Sequence, residues 1–446
     1  MSPLKTFRSG GVHPPENKLS ATSSIEIFPV PQQVIIPLNQ NLGAPAVPQV
    51  NKGDSVLVGQ MIGKGESFIS SNVHSSVSGK IMKIDEMIDH TGYRRKAVVI
   101  NVEGDEWVPE IDRSRELKKD ILLTREEIIK KIHEKGIVGM GGATFPSHVK
   151  LMVPDGKKVE YLILNGVECE PFLTSDHRLM LGKGEEILVG LRILMKALDV
   201  EKAIIGIENN KPDAIRNMAG IIQGNPGISV QALKVRYPQG GEKQLINALL
   251  GREVPSGKLP IEVGCVVHNV GTAFAVYEAV QKNKPLIERI VTVTGYTTKT
   301  PANYLVRIGT PVKELLEKAG VDLGNTAKVV NGGPMMGKAL NSLEVPVVKG
   351  MSGLLLFTEE KAFRVQLKPC IRCGRCIQVC PMGLEPILLA QYGENSIWDL
   401  AEANSIMDCI ECGSCHYTCP SGRPLLDYIR LGKNKVGQNI RNRGKK

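Results

Sequence analysis

The stretches CIRCGRCIQVCP and CIECGSCHYTCP constrain this chain more than any other feature. They place Cys370, Cys373, Cys376 and Cys380 in one copy and Cys409, Cys412, Cys415 and Cys419 in the other, both in the pattern C-x2-C-x2-C-x3-C-P. Three thiolates at three-residue spacing wrap one corner of an iron–sulfur cubane, and the displaced fourth is followed by proline. Structural zinc sites instead use two CxxC pairs joined by a long spacer. The chain has ten cysteines, and only Cys169 and Cys265 lie outside the repeat. The start, MSPLKTFRSGGVHPPENK, lacks the apolar core of a signal peptide. Clustered cysteines in such a chain point to metal rather than to disulfides, so two [4Fe–4S] clusters are expected.

In two-cluster ferredoxins, which carry this spacing, the fourth cysteine ligates the other cluster. That rule assigns Cys370, Cys373, Cys376 and Cys419 to one centre, and Cys409, Cys412, Cys415 and Cys380 to the second. Two clusters without catalytic side chains beside them form a one-electron wire. If a hydride carrier feeds it, a flavin must split the electron pair. Composition excludes some other uses of the chain. Aromatic residues make up only 4%, which argues against a stacking platform for single-stranded nucleic acid despite the net charge of +10. No apolar run approaches the roughly 18 residues of a membrane span. A soluble or peripheral protein on the cytoplasmic side is expected, with no nucleic-acid partner.

The rest of the chain reads as a multidomain α/β protein. Residues 1–30 form a polar, proline-bearing arm. Residues 31–110 pair GDSVLVGQMIG with SSVSGKIMKI in the manner of a lipoyl- or biotinyl-type barrel-sandwich, but Lys83 is at no clear hairpin tip, so a purely structural barrel is expected. In 115–285, Thr124 and Glu127 of TREE make a capping box. Strands such as VEYLILNG and AIIGIENN then alternate with helices such as EEILVGLRILMKAL, which implies a Rossmann-like parallel sheet with crossover helices. Residues 286–355 suggest a β-grasp ligand-binding module, 360–431 the two-cluster ferredoxin-like domain, and 432–446 a basic, solvated tail.

Four segments of the α/β domain are candidates for a flavin site. GMGGATFPSHVK joins Gly139, Gly141, Gly142 and Phe145 to Lys150; its glycines fit neither the GxGxxG nor the GxxxxGK[ST] pattern. ILNGVECEP ends a strand with Asn165, Glu168 and Glu170, where open α/β sheets bind ligands. RYPQGGEKQLI couples Tyr237 to Gly240, Gly241 and Glu242 at a helix start, where amides can hold a phosphate. VVHNVGTAFAV presents Asn269 and Thr272. Taken singly, Glu168 and Glu242 read more readily as solvated or capping carboxylates and Phe145 as core, and Asn165 and Asn269 read also as turn formers. Glu208 reads as a solvent-facing turn residue, and Cys169 as packing.

Together these segments resemble the flavin-bearing, NADH-oxidising subunit of respiratory complex I, with its GRGGAGFP…K, NADE-x-EP, Tyr-then-GEE and NNVET motifs. HPPENK and the cysteine-rich ending resemble a narrower family, the C-subunits of the Rnf ion-translocating ferredoxin:NAD⁺ oxidoreductases, over nearly the whole chain. The resemblance implies FMN and NAD(H) as further cofactors. Gly139, Gly141 and Gly142 would let the backbone approach the FMN, Lys150 would neutralise its phosphate, and Asn165, Glu168, Asn269 and Thr272 would contact the flavin. Glu170, Glu242 and Phe145 would meet the nicotinamide nucleotide, with Tyr237 at the junction beside the Gly240–Gly241 turn. The chain departs from complex I at Thr144 (glycine there), Val167 (aspartate), Gly241 (glutamate) and Gly271 (glutamate).

The implied function is a peripheral module that exchanges hydride between NAD(H) and FMN. It would pass single electrons through two clusters to or from other members of a membrane complex, and indirectly ferredoxin. Two alternatives remain open from the residues: a stand-alone reductase of the same family, serving for example cobalamin, and a non-catalytic ligand-binding scaffold.

Overall fold

The computed structural model describes residues 4–363 and 365–444. The central element is a parallel sheet in which Tyr161–Asn165 lies between Ala203–Glu208 and Cys265–Asn269, with Ile228–Leu233 outside Ala203–Glu208. Buried runs such as Leu162, Ile163 and Leu164 explain why these strands read as continuous apolar segments, because both sheet faces are covered. The chain first builds outward from Tyr161–Asn165 and then returns to its other side, so a topological switch point lies between Tyr161–Asn165 and Cys265–Asn269. Asn165 and Asn269 are register partners there, at the carboxyl ends of both strands.

Helices Gly184–Leu198 and Val270–Gln281 pack closely, because a Cβ at Gly190 would stand 1.9 Å from the Ala273 carbonyl oxygen. That contact fixes the helix on which Thr272 is carried. The capping box holds helix Arg125–Glu134 as expected: the Glu127 amide donates to Thr124 Oγ1 at 3.3 Å, and the Thr124 amide to Glu127 Oε2 at 2.7 Å. Gly136 follows with φ +64°, turning the chain into the glycine-rich loop.

In the N-terminal barrel, Gln33–Pro37, Arg94–Val102, Gly79–Ile88 and Ser55–Val56 form a four-stranded antiparallel sheet. A small sheet of Val47–Pro48, Met61–Lys64 and Val73–His74 completes it. Val34, Ile36, Ile62, Val73, Ile81, Val98 and Ile100 fill the space enclosed. Lys83 sits mid-strand beside Asp85, at 3.4 Å. The β-grasp region has six strands and helix Val312–Lys318. The arm supplies the sheet's edge strand, Ile25–Ile27, parallel to Ala302–Arg307, and bridges the α/β domain at Lys5 and Val12.

Of the stretch 432–446 expected as a solvated tail, 445–446 lie outside the described residues and the part up to Arg443 is helical. Helix Leu425–Arg443 runs through it. Leu425, Ile429, Gly432 and Val436 form a buried stripe at helical spacing that the abundance of Lys and Arg conceals in sequence. Among the described residues, no helix is long and apolar enough to cross a membrane.

Candidate flavin and iron–sulfur site

The four segments singled out in sequence meet at the switch point. Asn269 caps helix Val270–Gln281: its Oδ1 accepts from the Gly271 amide at 2.8 Å, and its Nδ2 donates to Asp176 Oδ2 at 2.6 Å. Asn165 accepts from the Val167 amide at 3.1 Å and donates to the Gly240 carbonyl at 2.9 Å, joining two of the segments. Both asparagines are thus turn formers that also tie the site together.

The glycine-rich loop is anchored at its base and open at its tip. The Gly139 amide donates to the Phe145 carbonyl at 2.8 Å, and the Met140 amide to Thr272 Oγ1 at 2.9 Å. Gly141, Gly142 and Ala143 are exposed, and a Cβ added at Gly142 would meet no atom within 4 Å. Gly141 has φ +82° and faces Asn269. Thr144, which replaces a glycine of complex I, keeps glycine's left-handed backbone at φ +56°. Its γ-methyl lies against Gly350, where a Cβ would come within 2.5 Å, so the extra side chain packs onto the β-grasp region. Phe145 is half-buried beside this turn.

The carboxylates are engaged by the protein itself. Glu168 takes a left-handed φ of +46° and caps helix Ser175–Gly182, accepting from the Asp176 amide at 2.8 Å and the His177 amide at 3.1 Å. Glu170 accepts from the Met335 and Met336 amides at 3.1 and 2.8 Å, which binds the site to the β-grasp region. Burial raises its carboxyl to about 7, against the pull of those donors and of Lys18. Glu242 pairs with Lys150 at 2.8 Å, and Lys150 also donates to the Val267 carbonyl at 3.1 Å. Glu208 is buried, 1% exposed, and not solvent-facing; it lies 3.6 Å from Lys211. Cys169 packs beside Tyr237, Met335 and Cys412, and its sulfur accepts from the Gly240 amide at 3.3 Å.

Sequence reasoning missed a set of buried charges. Lys18, from the arm, donates to the carbonyls of Glu168, Glu170 and Leu173, and burial lowers its ammonium to about 8. Lys211 donates to the Val167 carbonyl at 2.8 Å. Lys349 donates to the carbonyls of Asn72 and Gly136, both at 2.7 Å, holding the barrel to the entry of the glycine-rich loop. Asp176 is raised to about 6, first by burial and then by Glu168. Arg289 is only 4% exposed, and its Nε has no hydrogen-bond partner. A Cβ at Gly271 would lie 3.4 Å from its guanidinium. Charged side chains scattered over 18–349 carry no local spacing signal, so only the fold brings them together.

Buried polar atoms without partners make this site suited to a polar, anionic ligand. Arg289 Nε, Gln239 Nε2 and His268 Nε2 are buried and unpaired around the switch point. The open tip at Gly142 and the amide-rich starts of helices Glu242–Leu250 and Val270–Gln281 add to them. These residues fit FMN.

The two cysteine copies share a backbone: Arg372 and Glu411 have φ +54° and +56°, Gly374 and Gly413 +72° and +77°. Their thiols group across the copies. Cys376 has Cys419 and Cys370 as charge neighbours, whereas Cys409, Cys412 and Cys415 have Cys380. Among the described residues, no three His, Cys, Asp or Glu side chains converge tightly enough for a single ion. The group of Cys409, Cys412, Cys415 and Cys380 adjoins the flavin-type domain. The Tyr237 hydroxyl, expected at the flavin–nucleotide junction, donates to the Cys412 carbonyl at 2.8 Å. The Gly11 amide donates to the Val379 carbonyl at 2.8 Å, and a Cβ at Gly10 would stand 2.5 Å from the Cys380 carbonyl. Cys370 and Cys373 of the other group are exposed.

Comparison with known proteins matches four stretches of the chain to known domain families. Residues 132–278 match the Nuo51 FMN-binding domain, 5–105 the RnfC barrel sandwich hybrid domain, 362–427 a 4Fe-4S dicluster domain and 290–339 the SLBB domain. The chain is 48% identical to the C-subunit of the proton-translocating ferredoxin:NAD(+) oxidoreductase complex of Clostridium ljungdahlii, covering 97% of this chain and 94% of that protein. It is 44% identical to the Na(+)-translocating counterpart of Acetobacterium woodii, covering 97% of both. A chain of an air-oxidized NAD+-reducing [NiFe]-hydrogenase aligns in fold with a TM-score of 0.50 at 18% identity, over 69% of this chain and 60% of that one. From these full-length similarities, the chain belongs to the RnfC family, the C-subunits of the ion-translocating ferredoxin:NAD(+) oxidoreductases.

Proposed function

We propose that the chain is the nucleotide-facing electron-transfer module of such a complex, positioned on the cytoplasmic side of the membrane. It exchanges hydride with NAD(H) at an FMN and moves electrons singly through two [4Fe–4S] clusters. FMN supplies the conversion between a hydride and two single electrons. The open loop tip at Gly141 and Gly142 gives the flavin room, while Thr272 and Asn269 fix that loop from below. Lys150 and Arg289 balance the negative charge of the ligand. Phe145 and the Lys150–Glu242 pair border the space left for the nucleotide. Glu168 and Glu170 act by positioning: one anchors a helix under the site, the other binds the site to the β-grasp region.

The observation that carries this reading is the junction at Tyr237, which ties the flavin-type domain to the backbone of a cluster ligand. It also suggests an order, with the Cys409, Cys412, Cys415 and Cys380 cluster next to the flavin and the more exposed cluster beyond it. NADH-dependent reduction of ferricyanide by the purified chain loaded with FMN tests the reading, with NADPH run in parallel. Turnover with a nucleotide is expected. Bound flavin with no turnover would favour a ligand-binding scaffold instead.

A further inference from the structure

The two cysteine copies fold alike but sit in opposite surroundings. The downstream copy is enclosed: Cys412 and Cys415 are buried, and Glu411 is paired with Arg430 and Lys433, each at 3.1 Å. In the upstream copy the residue equivalent to Glu411 is Arg372, which is exposed, as are Cys370 and Cys373. On the segment that carries these cysteines, Phe363, Leu367 and Ile371 are 77%, 59% and 68% exposed. From Phe363 to Leu384 the sequence carries four Lys or Arg and no Asp or Glu.

A cluster held by exposed thiolates is open to water and oxidant, and grouped exposed apolar side chains mark an interaction surface. The basic residues of this segment select an acidic partner and steer its approach. Because the backbone is shared, the contrast between the copies reflects what each faces rather than the needs of cluster binding. The enclosed copy faces this chain's own flavin-type domain, which leaves the open copy as the outward terminal.

Resting on the electron-transfer reading above, we propose that the surface of Phe363, Leu367, Ile371, Arg372 and Arg375 around Cys370 and Cys373 docks an acidic protein carrying its own one-electron centre. Each encounter passes one electron, oxidising one side by one and reducing the other by one.

The test uses membranes from cells that make the rest of the complex but lack this chain. Purified chain with its iron and FMN is added, and the bound fraction is measured by sedimentation over a range of KCl. Arg372→Glu with Arg375→Glu is expected to bind at least tenfold more weakly, while Lys435→Glu with Arg441→Glu, on the C-terminal helix, binds like the unaltered chain. Equal weakening by both pairs would overturn the proposal. So would equally tight sedimentation of the unaltered chain with protein-free phosphatidylglycerol vesicles. If the first pair loses iron, hydroxyl-radical footprinting of the unaltered chain decides. Phe363, Leu367 and Ile371 become protected on the membranes if the proposal holds, and stay reactive if it fails. Ferricyanide reduction by the free chain tests the underlying reading separately.

Discussion

The hydroxyl of Tyr237 donates a 2.8 Å hydrogen bond to the carbonyl of Cys412, so a buried side chain of the flavin-type domain holds the backbone of the downstream cysteine copy. Tyr237 is buried there with Val12, Met335 and Cys412. Tyr237→Phe keeps the ring and leaves that carbonyl without its donor, which costs about 1–3 kcal/mol when the group is buried. Denaturant unfolding of the iron-loaded chain should show this loss. Iron content should stay unchanged, because the thiolates themselves are not altered.

The glycine-rich loop offers a way to separate folding from flavin binding. A Cβ at Gly142 would meet no atom of the protein within 4 Å, so Gly142→Ala should leave the melting temperature in place. If the flavin lies on this loop, the same substitution weakens FMN binding about tenfold or more, measured by quenching of flavin fluorescence. Gly141→Ala should lower the melting temperature as well as weaken FMN binding, because at φ +82° any Cβ costs roughly 1–2 kcal/mol.

Arg289 is a buried guanidinium with an unpaired Nε beside the start of helix Val270–Gln281. Charge-assisted hydrogen bonds are worth about 1.5–3 kcal/mol, so Arg289→Gln should weaken FMN binding roughly tenfold to a hundredfold. Arg289→Lys should recover part of it, since charge is retained and the fork is lost. Equilibrium dialysis of the iron-loaded chain against FMN measures both.

Glu170 should give stability a pH dependence of a defined sign. Its carboxyl rises from 4.5 to about 7, mainly through burial, in surroundings that include Lys18, Tyr237 and the Met335 and Met336 amides. In the folded chain it therefore keeps a proton that the unfolded chain releases. The stability this contributes is complete below pH 4.5 and is lost as pH rises through about 7. Between pH 5.5 and 8, Glu170→Gln should flatten the fall in melting temperature relative to the unaltered chain, both measured under argon.

The sequence carried most of the architecture, because its signals are local. The cysteine spacing, the Thr124–Glu127 capping box and the alternation of VEYLILNG with EEILVGLRILMKAL each act within a few turns of chain. Residues ending strands, such as Asn165 and Asn269, were also legible, since a parallel sheet gathers its ligands at strand ends. What was hidden depended on distance along the chain. Glu170 finds its donors at Met335 and Met336, Lys18 reaches the 168–173 turn from the arm, and Arg289 enters from the β-grasp region. The burial of Glu208 rests on Lys211 and the nearby arm, which its own neighbourhood, IENNK, does not reveal. The last helix is hidden in sequence because Lys and Arg are interleaved with the apolar stripe that buries it.

The most direct test of the account is a single-turnover reaction from the cluster end. The chain, loaded with iron, is photoreduced anaerobically, freed of excess reductant and mixed with NAD⁺, and the absorbance of NADH and of the clusters is followed together. With FMN bound, NADH should appear as the clusters reoxidise, and without FMN neither change should occur. NADH formed equally well without FMN, or clusters that stay reduced in the presence of both FMN and NAD⁺, would contradict it.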